Sequence, residues 1–158
     1  AYLEKSYYKT SSLIANSSKA AAIISDVPPE IVQDMYYYGR YIGLAFQIVD
    51  DILDFTSATE SLGKPACSDL KSGNLTAPTL YALEEKPALE KLLERELAQD
   101  SDLEEAIQLI KNSRGIKRSQ ELATKYAKMA VEHLQSLPDC DSRQALINLT
   151  DYVLSRLS

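Results

Sequence analysis

The sequence has no tryptophan, five glycines, two cysteines and fewer basic than acidic side chains. Each shortage excludes something. So few glycines supply little of the turn chemistry that an all-β chain needs. Seventeen Lys and Arg stand against 23 Asp and Glu, a net charge of −6, and the pI is about 4.8. With no basic stripe interleaved with aromatics, nucleic acid is not an expected partner. Cys67 and Cys140 lie far apart, without a CxxC pattern or a neighbouring histidine. They read as unpaired thiols of a reducing compartment, neither a disulfide nor a zinc site. No apolar run approaches the ~20 residues of a membrane span, and no signal or transit pattern is present. The chain starts at Ala1-Tyr2, already in helical rhythm, so we expect it to be part of a longer polypeptide.

What is present is 45% apolar residues, enough for a real core, and one unusual stretch, Phe46-Gln47-Ile48-Val49-Asp50-Asp51-Ile52-Leu53-Asp54-Phe55. At about 100° per residue, Gln47, Asp50, Asp51 and Asp54 share an arc of roughly 100° on a helix that is otherwise apolar. Such a helix is normally buried, and buried carboxylates are costly unless compensated. Two charges about 4 Å apart repel by roughly 4 kcal/mol at an effective dielectric of about 20. The i,i+3 and i,i+4 spacings let all three carboxylates converge. The expectation is a cation there, and oxygen-only ligands suit Mg²⁺, which shares its shell with substrate phosphate.

The rest of the chain reads as helices. Residues 2–25 form a helix or kinked pair interrupted at Ser11-Ser12, with Tyr2, Leu3, Tyr7, Leu13, Ile14, Ala21, Ile23 and Ile24 as candidate core. Asp26 is placed to cap a helix that restarts at Pro28-Pro29 and runs to Phe55. Arg40 and Gly43 fall on the stripe of Gln47 and the aspartates. Residues 56–76 lack helical periodicity and form a candidate active-site loop carrying Gly63, Lys64, Pro65, Asp69, Lys71 and Gly73. Further helices are expected over 77–85, 87–98, 102–112, 118–136 and 142–157. Ser101/Glu104 and Asp141/Gln144 have capping-box spacing, and Arg114-Gly115 reads as a helix end. His133 has no acid or cysteine near it in sequence and reads as structural. Tyr36-Tyr37-Tyr38 reads as bundle packing, and the acidic runs of 84–105 as a solvated face. The fold class is all-α.

Lys64 and Lys71 on a glycine-bearing loop can close over a diphosphate, although two loop lysines alone equally serve solubility. Lys9-Thr10 places a cation beside a hydroxyl. In combination these residues resemble a known family. FQIVDDILDF followed by GKPACSDLKSGNLTAPTLYAL is similar to the second aspartate-rich motif and adjoining loop of trans-polyprenyl diphosphate synthases, and YYKTSSLI to that family's lysine-threonine helix. The ending DYVLSRL is most similar in wording to the plant solanesyl (nonaprenyl) group.

The resemblance implies a helical bundle of the isoprenoid (class I terpenoid) synthase type, with residues 1–158 as the C-terminal part of one domain. It implies a Mg²⁺-dependent transferase that elongates an allylic prenyl diphosphate with isopentenyl diphosphate to a long all-trans product, the side chain of a quinone. By position, Asp50, Asp51 and Asp54 would hold the metal. Lys9 and Lys64, with Lys71 in support, would bind the diphosphate, while Thr10 and Gln47 would orient it. Three positions depart from the family pattern: Cys67 for glycine, Asn74 for lysine and Ala77 for leucine. No second DDxxD occurs in the chain, so little or no turnover is expected from these residues alone. A regulatory subunit of a heteromeric synthase and a terpene cyclase are the competing readings. A homodimer in the full-length protein and a plastid location, or alternatively a mitochondrial one, also follow from the resemblance.

Overall fold

The computed structural model describes residues 1–56, 67–99 and 101–157. Among them the chain is all-helical, with no strand. In order come α1 (Tyr2–Ser6), a π-helical turn (Tyr7–Ser11), α2 (Ser12–Ile24), α3 (Pro29–Thr56), α4 (Ser68–Lys71), α5 (Ala77–Leu83), α6 (Pro87–Glu94), α7 (Asp102–Lys111), α8 (Gly115–Glu132) and α9 (Asp141–Ser155). The residues group into two compact units, 1–49 with 122–158 and 50–121, and α3 and α8 each run from one into the other.

In the first unit, α3 carries the core, with Ile42, Ala45, Ile48 and Val49 at 4% exposure or less. Tyr38 donates its hydroxyl to the Leu146 carbonyl at 3.1 Å. Tyr37 stacks on His133 and Tyr41 lies tilted against it, with ring centroids 5.1 and 5.6 Å away. The tyrosine run therefore packs the bundle, as expected. His133 does have an acid partner, because Asp34 lies 2.8 Å from its Nδ1. Ninety-nine residues separate them, so sequence proximity could not reveal the pair. The histidine's hydrogen bond holds the Asp34 carboxyl below its ordinary value.

The core expected for residues 2–25 is corrected. Leu3, Leu13, Ile23 and Ile24 are exposed, Ile24 to 85%, while Ser6, Ser11, Ala15 and Ala22 are buried. The wide π-helical turn shifts the register of the helix, and only small side chains fit where it meets α3. A Cβ on Gly39 would lie 2.6 Å from the Ile14 carbonyl oxygen and 2.8 Å from Ala15 Cα. Glycine and small residues set this interface, so the largest apolar residues face outward.

In the second unit the core gathers Phe55, Cys67, Leu70, Ala82, Leu89, Leu92, Ala106 and Ile110. A fully buried side chain the size of Phe55, Leu89 or Ile110 contributes about 1.5–3 kcal/mol. Four expectations change here. Residues 68–71 of the expected loop form helix α4. Gly115 opens α8 and ends nothing: its Cβ would meet the Pro78 carbonyl oxygen at 2.3 Å, so the glycine serves close approach. The capping box at Ser101 does not form, because Ser101 makes no side-chain cap bond, and in the first unit α9 has Cys140 at its N-cap, also without one, with the expected cap Asp141 already inside the helix. Asp102 instead accepts from the Gln99 amide at 3.1 Å and pairs with Arg95. It is fully buried, so the acidic run is not wholly solvated. In the first unit, likewise, Asp26 does not cap α3 but turns the chain after α2 with φ +54°.

Candidate active site

The expected site residues sort into two places. In the first unit, the π-helical turn Tyr7–Ser11 presents Lys9 and Thr10. Lys9 is exposed. Thr10 donates its hydroxyl to Gln47 Oε1 at 2.6 Å, although 37 residues separate them. Gln47 is 5% exposed and sits on α3, so the lysine-threonine pair is tied to the helix that carries the aspartates. Neighbouring contacts extend the tie. The Tyr7 and Tyr36 hydroxyls lie 2.8 Å apart, a bond that, with burial, raises the Tyr7 phenol above its ordinary value. The Arg40 guanidinium stands 5.0 Å over the Tyr7 ring.

In the second unit, Asp51 is buried at 3% exposure while Asp50 and Asp54 are half-buried. Asp54 accepts three hydrogen bonds: from Ser68 N at 3.2 Å, Ser68 Oγ at 3.0 Å and Asp69 N at 3.2 Å. Its backbone carbonyl also accepts from the Cys67 amide at 3.1 Å. The carboxylate thus satisfies the first amides of α4, the part that a capping side chain normally plays. Among the described residues, no three His, Cys, Asp or Glu side chains are gathered to hold a metal ion. Asp54 is engaged by α4.

Cys67 holds φ +56°, a left-handed conformation in which glycine carries no penalty. The departure from the family's glycine therefore falls where backbone strain is real. Burial and then the Asp54 charge raise its thiol above the ordinary value. Both cysteines are free, Cys67 buried and Cys140 exposed. Lys71 ends α4 and is exposed. Asn74 donates to Asp69 Oδ1 at 2.7 Å, and its amide donates to the Asp69 carbonyl at 2.8 Å, so it closes the turn after α4. Lys64 lies outside the described residues. The residues that sequence reasoning missed are Ser11, Tyr7 and Ser68. All three lie inside the quoted motifs, but none was given a role in the site.

The polyprenyl synthetase family model matches residues 1–111. The chain belongs to that family. It is 59% identical over 156 residues to a prenyl transferase of Synechocystis sp., covering 99% of this chain and 48% of that protein. It is 53% identical to the chloroplastic solanesyl diphosphate synthase 1 of Arabidopsis thaliana, covering 99% and 38%. The crystal structure of a polyprenyl synthase from Caulobacter crescentus, complexed with calcium and isoprenyl diphosphate, matches with a TM-score of 0.88 at 36% identity, covering 99% of this chain and 49% of that one. The fold is that of the polyprenyl synthases, and the chain spans about half the length, or less, of the relatives it matches.

Proposed function

We propose that this chain supplies one wall of a trans-prenyltransferase site, in a synthase that joins an allylic prenyl diphosphate to isopentenyl diphosphate and makes a long-chain all-trans polyprenyl diphosphate for a quinone side chain. The observation that carries this reading is the Thr10–Gln47 hydrogen bond, which ties a lysine-threonine turn to the helix bearing Asp50, Asp51 and Asp54. In the reaction, the allylic C–O bond breaks and diphosphate leaves. The double bond of isopentenyl diphosphate attacks the allylic carbon, and a proton is lost. Lys9, Lys64 and Lys71 neutralise the leaving diphosphate where its charge develops. Thr10 and Gln47 orient it.

The all-oxygen donors of α3 fit a hard divalent cation. Mg²⁺ is usually held by one or two carboxylates with water and substrate phosphate rather than by a protein cage, so a site without three gathered carboxylates still suits it. Asp50 and Asp51 would hold it, with Asp54 in support when released from α4. When bound, the metal supplies charge that stabilises the departing diphosphate. Likeness to the chloroplastic synthase supports a plastid location, and likeness to the family supports a homodimeric whole protein. Because the chain spans about half of its relatives or less, we assign the activity to a synthase that contains this chain or pairs with it, including a heteromeric one in which it is the partner subunit.

The test is elongation of an allylic diphosphate with isopentenyl diphosphate and Mg²⁺, with products sized by chromatography. In a full-length synthase carrying this chain, Asp50→Ala lowers turnover by about 10²–10³-fold while the helical circular dichroism is retained. The 158-residue chain alone gives little or none. Full activity of Asp50→Ala would sink the reading, and elongation by the isolated chain would sink the claim that a second wall is needed.

A further inference from the structure

Lys9 and Thr10 do not stand on an ordinary helix. They lie in the π-helical turn Tyr7–Ser11, where the Ser12 amide reaches back to the Tyr7 carbonyl. A π-turn widens the helix by a residue and persists only where its surroundings enforce it. Here they do so from one side. Ser11 is fully buried, and its hydroxyl donates to the Arg40 carbonyl at 2.6 Å. Opposite it, a Cβ on Gly43 would fall 2.6 Å from Ser11 Cα and 2.9 Å from Ser11 Cβ. Tyr7 and Thr10, before Ser11 in the turn, reach Tyr36 and Gln47 of the same helix. At Ser11 and Gly43 the turn and α3 approach closely, at a point on α3 between those two side-chain bonds.

We infer that Ser11 and Gly43 are positioning residues: their contact holds the π-turn in the register that puts the Thr10 hydroxyl on Gln47 and leaves Lys9 pointing outward. This rests on the proposed role of Lys9-Thr10 as a diphosphate-binding pair. Neither residue touches the reacting groups. A methyl at position 43 has nowhere to go except by lifting the turn off α3, which breaks the Thr10–Gln47 bond. Loss of the Ser11 hydroxyl frees the turn more gently.

Two measurements on the 158-residue chain test this: assigned amide resonances, and calorimetric titration with inorganic diphosphate in Mg²⁺. In Gly43→Ala, we expect the Lys9 and Thr10 backbone amides and the Gln47 side-chain amide to shift and exchange faster, with diphosphate affinity falling about 10-fold or more. Ser11→Ala gives the same pattern at smaller amplitude. Gly39→Ala is the matched control. Its Cβ clashes as severely, but against Ile14 and Ala15 of α2, so it lowers the melting midpoint and leaves those resonances in place. The inference is overturned if Gly43→Ala leaves them unmoved, or if Gly39→Ala moves them equally. Should Gly43→Ala not fold, Ser11→Ala against Gly39→Ala decides alone. Absence of diphosphate binding in the unmodified chain would count against the proposed function, while the resonances still judge the positioning claim.

Discussion

Two corners of the molecule carry the candidate chemistry, and they are held by different means. The corner at Lys9-Thr10 is closed by volume, with a glycine, a buried serine and uncharged hydroxyls pressed between a π-turn and α3. The corner after Asp54 is closed by charge, with one carboxylate accepting three hydrogen bonds and a non-glycine residue held in the left-handed region. The first tolerates no added atom but little depends on a formal charge. The second depends on one anion and one strained backbone.

Adding the same methyl to each corner separates the two most widely. At Gly43 an added Cβ overlaps Ser11, and overpacking of a close contact costs about 1–3 kcal/mol. At Gly73, with φ +73°, nothing among the described residues lies within 4 Å. Alanine there meets only the left-handed penalty, about 1 kcal/mol. Urea melts should therefore rank Gly43→Ala well below Gly73→Ala, and equal losses would break the comparison. Next comes Asp54→Ala. It removes the acceptor for the first amides of α4, which is expected to cost about 1 kcal/mol and to speed amide exchange at Ser68 and Asp69. Unchanged exchange there would show that α4 stands without it. Smaller still is the difference between two replacements of Cys67. Both lose the buried thiol, but glycine relieves the φ +56° backbone. Cys67→Gly should thus exceed Cys67→Ala by about 1 kcal/mol, the reverse of the usual helix ranking.

The same contrast explains what could be read in advance. The helices, the acidic stripe and the Gln47–Asp54 motif follow from apolar periodicity and from residue types whose burial demands compensation, and both are properties of one segment. What escaped reading depends on two segments meeting. Arg114-Gly115 looked like a helix end because glycine often supplies a left-handed turn, yet Gly115 answers to the Pro78 carbonyl. Ser101 with Glu104 had capping spacing, but Ser101 makes no side-chain cap bond, and the carboxylate fixed at that helix start is Asp102, held by Arg95 and the Gln99 amide. Leu13 and Ile24 were expected inside by their hydrophobicity, and small residues displaced them once Gly39 and Gly43 drew α3 close. His133 looked isolated until α3 brought Asp34 beside it. In the site itself, Thr10 and Gln47 were legible as candidates, but the device that holds them, Ser11 against Gly43, carries no chemical signature of its own.

The smallest effect orders the two corners in a single titration. The Cys67 thiol is raised from its ordinary 9.0 by burial and by Asp54, and the Tyr7 phenol from its ordinary 10.0 by its bond to Tyr36 and by burial. In both cases the folded chain keeps a proton that the unfolded chain releases, so stability falls as pH rises. The loss begins at the unfolded value and is complete only above the raised folded one. The Asp54 corner should therefore weaken first, from about pH 9, and the Lys9-Thr10 corner only from about pH 10. Urea melts from pH 8 upward, in metal-free buffer, would check this. Cys67→Ala should remove the earlier slope and leave the later one, and Tyr7→Phe should lessen the later one down to the share of Tyr38, whose phenol burial also raises. If Cys67→Ala keeps the slope between the two onsets, the charge-held corner does not govern alkaline stability. The thiol's burial would then be relieved before it titrates, and the contrast between a corner held by volume and one held by charge would have to be redrawn at Cys67.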